Sequence, residues 1–305
     1  MELRQLRYFV TIAEQGSFSR AAERLHVSQP PLSTQIKALE DELGVRLLLR
    51  SNRGVMLTPA GEAFHADARA ILDQIEQAVA RAQRTHRGEA GLLRIGFVSI
   101  ADFGILPPTL KTFRTRFAQV DVQLHELTTD AQIRGLYAAE LDLGIGLAPV
   151  DEPGLRFTSL LHEPLILAAP TDHPALQTPG AVDLRALSKE PFIVPPRAIG
   201  PGLYDLTISL CRGAGFVPRI TQHARQMQTV IGLVSSGMGV ALVPASLQRL
   251  KREGVEYRVL HGPAANIELG VLQPALTTDP LRENFVQVLL ETASALPALE
   301  ADQPA

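Results

Sequence analysis

Gln29, Ser33 and Lys37 stand four residues apart, with Pro30 and Thr34 beside the first two. On a helix that spacing puts all three on one face. A Gln carboxamide can read a base edge through a donor and an acceptor, Ser and Thr hydroxyls can bond bases or phosphates, and Lys neutralises a phosphate. The chemistry open to such a face is recognition of double-stranded DNA rather than turnover. Shortly after come Arg50 and Arg53, in Arg50-Ser51-Asn52-Arg53-Gly54, between the apolar runs 47–49 and 55–57. Two short strands joined there form a hairpin with a basic tip, and Arg at such a tip suits a narrow, electronegative minor groove.

The elements that must hold these residues are legible on either side. Leu3, Leu6, Phe9, Val10 and Ala13 recur at helical spacing and predict a helix over 2–14, ended by Gly16. Ser17 is a good N-cap for a short helix carrying Phe18, Ala21, Ala22 and Leu25. After the turn His26-Val27-Ser28, Ser28 is placed to cap a third helix. Pro30 and Pro31 fall in its first turn, where their missing N–H groups leave nothing unpaired. Leu32, Ile36, Leu39 and Leu43 form its buried stripe, and Gly44 stops it. Three such helices followed by a basic hairpin make a winged helix-turn-helix.

Thr58 and Pro59 then open a long helix over 59–87, in which Phe64, Ala68, Ile71, Ile75, Ala78 and Ala82 alternate spacings of four and three. That is a coiled-coil seam, enough to pair two chains and set two reading helices on one face of DNA. Arg84, His86, Arg87, Gly88 and Gly91 read as a polar, flexible hinge.

Beyond residue 92 the rhythm changes. Strands expected at 92–98, 120–127, 141–147, 164–169, 192–194, 240–243 and 267–272 alternate with helices over 108–117, 130–140, 203–214, 227–236 and 280–296, with Asp130 read as a helix cap. This is an α/β pattern, whose opening βαβαβ run signals a parallel sheet covered by helices. Two such half-domains leave a crevice at the strand ends, the usual place for a small ligand. Ser99 follows the first strand, and Thr128 and Thr129 end the second and open a helix. Hydroxyls and N–H groups there suit a carboxylate. On the other half, Arg197-Ala198-Ile199-Gly200-Pro201-Gly202 is a Gly/Pro-rich loop opening another helix.

Bulk properties narrow the function class. The 305 residues suffice for two or three compact units, with 46% apolar and 20% charged residues. No run approaches the ~18 apolar residues of a membrane helix. Met1-Glu2-Leu3-Arg4 is not followed by an apolar signal segment, so the cytoplasm is the expected location and no membrane partner is expected. A net charge of −3 argues against a general polyanion binder, although residues 1–60 carry eight Lys/Arg against six Asp/Glu. Cys211 is the only cysteine, which excludes an internal disulfide or a cysteine-rich metal site. The eight histidines make no His-x-His or His-x3-His pair, and neither a metal nor another cofactor is expected. No Gly-x-Ser-x-Gly elbow or Gly-rich phosphate loop occurs, so an enzyme is not expected.

The stretches Leu3-Arg4-Gln5-Leu6-Arg7-Tyr8-Phe9, Gly16-Ser17-Phe18-Ser19-Arg20-Ala21-Ala22, Val27-Ser28-Gln29-Pro30-Pro31-Leu32-Ser33, Leu39-Glu40-Asp41-Glu42-Leu43-Gly44 and Leu57-Thr58-Pro59-Ala60-Gly61 together resemble the LysR-type transcriptional regulators. The resemblance covers essentially the whole chain, weakening after about residue 90. It is closest to the branch that controls aromatic-compound catabolism. It implies an N-terminal winged helix-turn-helix over 1–58, a dimerising linker helix over 59–88 and a two-lobed, periplasmic-binding-protein-like effector domain over 89–297. Lobe I would be 92–161 with 267–297, lobe II 162–266, and 298–305 a disordered tail.

On this reading Gln29, Pro30, Pro31, Ser33 and Thr34 meet the major groove, Arg53 the minor groove, and Ser28, Lys37, Arg50 and Thr58 the phosphates. Thr34 stands where that branch commonly has Arg. Ser99, Ile100, Thr128, Thr129, Arg197, Pro201, Gly202 and Gln226 would surround a small aromatic or unsaturated acid. The implied partners are promoter DNA, that effector, a second copy of the chain through 59–87, a tetramer of two dimers, and RNA polymerase. The alternative is an effector-independent regulator or an architectural DNA protein, which would leave a two-lobed domain without use.

Overall fold

Helix α1 (Leu3–Gln15) buries Leu6, Phe9, Val10 and Ile12 and ends at Gly16, whose φ of 58° is left-handed. Leu3, expected on the buried stripe, is exposed, and Ile12 takes the inward place. Helix α2 (Phe18–Arg24) starts at Ser17, whose Oγ accepts from the Arg20 N–H at 3.5 Å. Helix α3 (Gln29–Leu43) carries Pro30 and Pro31 in its first turn and ends at left-handed Gly44. Ser28 occupies the N-cap position, but its side chain makes no capping bond. Phe9, Ile12, Leu32, Ile36, Leu39 and Leu47 fill the common core. Each such side chain contributes roughly 1.5–3 kcal/mol by leaving water.

Strands β1 (Leu48–Ser51) and β2 (Gly54–Leu57) pair antiparallel. The hairpin is tied to α3 by Glu40, whose Oε1 accepts from the Leu47 and Leu48 N–H groups at 2.8 and 3.0 Å. Helix α4 (Pro59–His86) leaves the hairpin so closely that a Cβ on Gly61 would overlap the Leu47 carbonyl oxygen. Phe64 packs on Phe9 with ring centroids 5.3 Å apart. After Ala68 no residue of α4 is buried within the single chain, and Ile71 and Val79 are exposed.

The computed structural model describes residues 1–51 and 54–297. They form two compact units, Met1–Arg84 and a second beginning at Thr85. The expectations for Arg53 at the hairpin tip and for a tail at 298–305 lie outside the described residues.

In the second unit β3 (Ala90–Phe97), helices α5 (Ser99–Asp102) and α6 (Leu106–Arg116), β4 (Gln119–Glu126), α7 (Thr129–Tyr137) and β5 (Leu143–Leu147) form the expected parallel start, with β3 between β4 and β5. A long strand β6 (Leu155–Pro170) follows, then β7 (Pro191–Val194), α8 (Pro201–Gly213), β8 (Arg219–His223), α9 (Met227–Ser235), β9 (Ala241–Pro244), β10 (Val255–Arg258), β11 (Asn266–Pro274) and α10 (Pro280–Ala295). The main sheet runs β10-β6-β11-β5-β3-β4, with β9 also on β6, while β7 and β8 pair separately. Because β11 lies antiparallel to β5 and β6, the sheet is mixed rather than parallel throughout.

The expected strand at 164–169 is thus the second half of a sixteen-residue strand. Its first half is only partly buried, which blunted the apolar signal. Up to Pro164, β6 pairs with β11, and from Leu165 with β9 and β10, so one strand serves two sheet halves. Near that transition sits Glu163, 1% exposed, with Oε2 accepting from the Ser246 N–H at 3.2 Å. Its Oε1 has no partner among the described residues, and burial pushes its pKa up against the opposing pull of Ser246 and Arg249.

The segment expected as a polar hinge holds the boundary between the two units, at Arg84 and Thr85. Helix α4 continues to His86, and the Asn284 amide of α10 donates to the Arg87 and Gly88 carbonyls at 3.0 and 3.1 Å. Among the described residues, no helix is long and apolar enough to cross a membrane.

Candidate nucleic-acid interface and ligand crevice

The core side of α3 leaves Ser28, Gln29, Pro30, Pro31, Thr34 and Lys37 exposed and Ser33 half-buried. Three side chains around them are held by neighbours. The Ser19 hydroxyl donates to Gln29 Oε1 at 3.2 Å. Arg50 Nη1 donates to Ser33 Oγ at 3.0 Å, and its guanidinium lies 4.4 Å from the centroid of the Phe18 ring. Thr34 Oγ1 donates to the Pro30 carbonyl at 3.1 Å. Arg50 is thus braced by a ring and a hydroxyl from two helices.

Thr58 has a different setting. Its hydroxyl donates to the Arg46 carbonyl at 2.7 Å and accepts from the Gly61 N–H at 2.9 Å, joining the hairpin to the start of α4. Beside that exposed face is a polar notch of about 800 Å3 lined by Ser33, Thr34, Lys37, Asp41, Arg46 and Arg50, among others. Arg46 escaped the sequence reading because it sits at no helical spacing from Lys37. It is carried there by the turn after α3, whose Gly44 and Val45 also line the notch.

In the second unit a crevice of about 910 Å3 opens where several strands and helices meet. Ser99, Ile100, Thr128, Thr129, Pro201, Gly202 and Gln226 all line it. Helix α7 opens here with Thr128, not Asp130, as its cap, and the Thr128 Oγ accepts from the Ala131 N–H at 3.4 Å. Thr129 Oγ1 accepts from the Leu147 N–H at 3.0 Å, so one threonine caps the helix and the other ties it to β5. Buried Gln132 donates to the Leu127 and Ile145 carbonyls at 3.0 and 3.2 Å and fixes α7 on the sheet. Helices α8 and α9 open at the same crevice without side-chain caps, at Gly200 and Gln226. Gly202 stands against the end of β5, where a Cβ would lie 2.8 Å from the Ala148 carbonyl oxygen. No side chain larger than hydrogen permits that approach.

Arg197 is the exception among the expected contacts. It is not part of the lining, and its guanidinium donates to both carboxylate oxygens of Asp205. That pairing holds the Asp205 carboxyl below the usual range. The lining has two other cations, Arg134 and Arg225. Arg225 directly precedes the N-cap of α9, and that position before a helix start was the signal available in the sequence. Five acids also border the crevice: Glu126, Asp130, Asp151, Glu152 and Asp205. Val98, Ile100, Leu147, Ile199 and Met227 supply apolar wall. Among the described residues no group of His, Cys, Asp and Glu has the arrangement of a metal site.

Residues 3–62 match the family profile of bacterial regulatory helix-turn-helix proteins, lysR family, and residues 86–294 match the LysR substrate binding domain. The chain is 47% identical to the uncharacterized HTH-type transcriptional regulator YnfL of Escherichia coli strain K12, over 90% of this chain and 92% of that protein. It is 41% identical to the HTH-type transcriptional regulator AlsR of Bacillus subtilis strain 168, over 94% and 95%. The crystal structure of CbnR, a LysR family transcriptional regulator, is similar with a TM-score of 0.87 at 32% identity, covering 95% of this chain and 100% of that one. Full-length CbnR complexed with its target DNA gives 0.82 at 31% identity, covering 96% and 100%.

Proposed function

The chain belongs to the LysR family of bacterial transcription regulators, and from that premise we propose that it senses a small carboxylic acid in the crevice of its second unit. Regulators of this family bind DNA and small-molecule effectors and assemble into oligomers. The observation that carries the effector class is a convergence. The N-termini of α7, α8 and α9 open at one crevice, and Arg225 stands beside the last of them. Helix N-termini and a guanidinium favour an anion there. The apolar wall suits an aromatic or unsaturated body, in keeping with the resemblance to regulators of aromatic-compound catabolism.

On the DNA side, Gln29, Pro30, Pro31, Ser33 and Thr34 read the major groove and Arg53 the minor groove. Ser28, Lys37, Arg50 and Thr58 take phosphates. Phe64 and Ala68 pack on their own unit, and the seam of α4 beyond Ala68 is open to pair two chains over 59–87, with two such dimers making a tetramer. The working division is a DNA-binding domain over 1–58, a linker over 59–88 and an effector domain over 89–297, with lobe I at 92–161 and 267–297 and lobe II at 162–266. The protein works in the cytoplasm without turning its effector over. The acid biases a pre-existing equilibrium between lobe arrangements through its differential affinity. That equilibrium changes how dimers bend DNA and admit RNA polymerase.

The test is the melting temperature of the full chain against a panel of small aromatic and dicarboxylic acids and their amides. An acid at 100 times its dissociation constant adds about 2.7 kcal/mol. A shift for one acid and none for its amide is expected. No shift for any acid, or an equal shift for acid and amide, overturns the carboxylate reading.

A further inference from the structure

The hydrogen bonds around α3 decide which polarity its reading face offers. Ser19 Oγ donates to Gln29 Oε1 at 3.2 Å, so the carboxamide oxygen is turned toward α2 and the amide nitrogen, with two N–H donors, is the free end. Ser33 Oγ accepts from Arg50 Nη1 at 3.0 Å, which leaves its own O–H to donate outward. Lys37 and Arg50 are donors by chemistry alone. Thr34 turns its hydroxyl hydrogen back to the Pro30 carbonyl at 3.1 Å and adds no outward donor. From Gln29 through Ser33 to Lys37, the face presents donors.

We propose that Ser19 is a specificity-determining positioning residue, which holds Gln29 as a donor so that the base opposite it is guanine or thymine and not adenine. The proposal rests on the reading of Gln29 as a base-reading residue and deepens it. Gln recognises adenine with both ends of its carboxamide, the oxygen accepting from N6 and the nitrogen donating to N7. With the oxygen turned toward Ser19 and the nitrogen outward, the adenine N6 amino group would face another donor and only N7 would be left to accept. Guanine offers O6 and N7, and thymine offers O4, all acceptors. Ser19 can play this part without being structural. It is exposed, and the cap of α2 is Ser17.

The experiment is selection of bound duplexes from a randomised double-stranded pool, using the full-length chain as wild type, Ser19→Ala, Ser19→Thr and Gln29→Ala. The wild type is expected to select guanine or thymine at one position that Gln29→Ala flattens. Ser19→Ala should leave the other positions unchanged and raise adenine at that one by about five- to hundredfold relative to the wild type. Ser19→Thr, which keeps the hydroxyl, should select as the wild type does. Unchanged selection by Ser19→Ala at a position that Gln29→Ala flattens overturns the proposal and leaves the base-reading role of Gln29 intact. Selection of adenine there by the wild type also overturns it. If Gln29→Ala selects like the wild type at every position, the base-reading role itself fails, and this proposal with it.

Discussion

Arg197 donates through Nε and Nη2 to the two carboxylate oxygens of Asp205, at 2.7 and 3.0 Å. A two-pronged pairing of this kind satisfies the flat edge of the guanidinium that would otherwise clasp a ligand carboxylate. Arg225 lines the crevice and has no side-chain partner among the described residues. Arg197, the arginine expected at the ligand, is therefore occupied by its neighbour, whereas Arg225, which carried no expectation, lines the crevice.

The first prediction follows from that contrast. Arg225→Ala should weaken binding of the responsive acid by about tenfold or more, the scale of one hydrogen bond to a charged group. Arg197→Ala should change it less than threefold, roughly the scale of a surface ion pair. Titration calorimetry on the full chain measures both. The reverse order of effects would remove Arg225 from the site.

Lys37 and Gln29 should separate by their response to sequence and salt. Gln29→Ala is expected to weaken operator binding by ~1–3 kcal/mol while random DNA is held nearly as before. Lys37→Ala should weaken both alike and lower the slope of log affinity against log salt by about one. Binding isotherms at several salt concentrations check this, and an unchanged slope would take Lys37 off the phosphates.

Gly61 offers a test of how the hairpin is joined to α4. Alanine there forces a methyl into the Leu47 carbonyl, which must move together with the strand that Thr58 and Glu40 anchor. A loss of about 1–3 kcal/mol is expected in the DNA-binding unit, visible as a lower denaturation midpoint and weaker operator binding. Stability equal to the wild type would mean that the approach is looser than described.

Glu163 predicts a dependence on pH. Burial raises its pKa, so the native state holds this proton more tightly than the unfolded chain does. The associated stability is fully present below the unfolded carboxyl pKa and is lost as pH rises through the native value. Glu163→Gln keeps the shape and removes the titration. The variant should gain stability relative to the wild type from about pH 5 upward. Melting temperatures of the two proteins across that range decide it, and a gap that stays constant with pH contradicts the account.

Much of the DNA-binding unit is legible in the sequence because its signals are local. Gly16 and Gly44 end helices where only a left-handed residue continues the chain, Ser17 caps within three residues, and the stripe Leu32, Ile36, Leu39 is one helix face. Each depends on neighbours within a turn or two, and so does the heptad rhythm of α4. The crevice lining is partly legible for the same reason. Ser99, Thr128 and Pro201 lie where strands end and helices begin, and such ends collect in one place whatever the wider topology.

What the tertiary structure alone decided are relationships between residues far apart in the chain. The antiparallel insertion of β11 between β5 and β6 comes from a segment about a hundred residues downstream of β6. The partly buried first half of β6 carries no clean alternation that would announce it. Whether Arg197 faces a ligand depends on Asp205 one helical turn into α8, and whether Gln29 offers an oxygen or a nitrogen depends on Ser19 in another helix. Side-chain pairing is settled by distances of a few tenths of an ångström, and linear spacing has no such resolution. Residue types and periodicity determined that this chain could read DNA and hold a small ligand. Which of its polar atoms remain free to do so was set by packing.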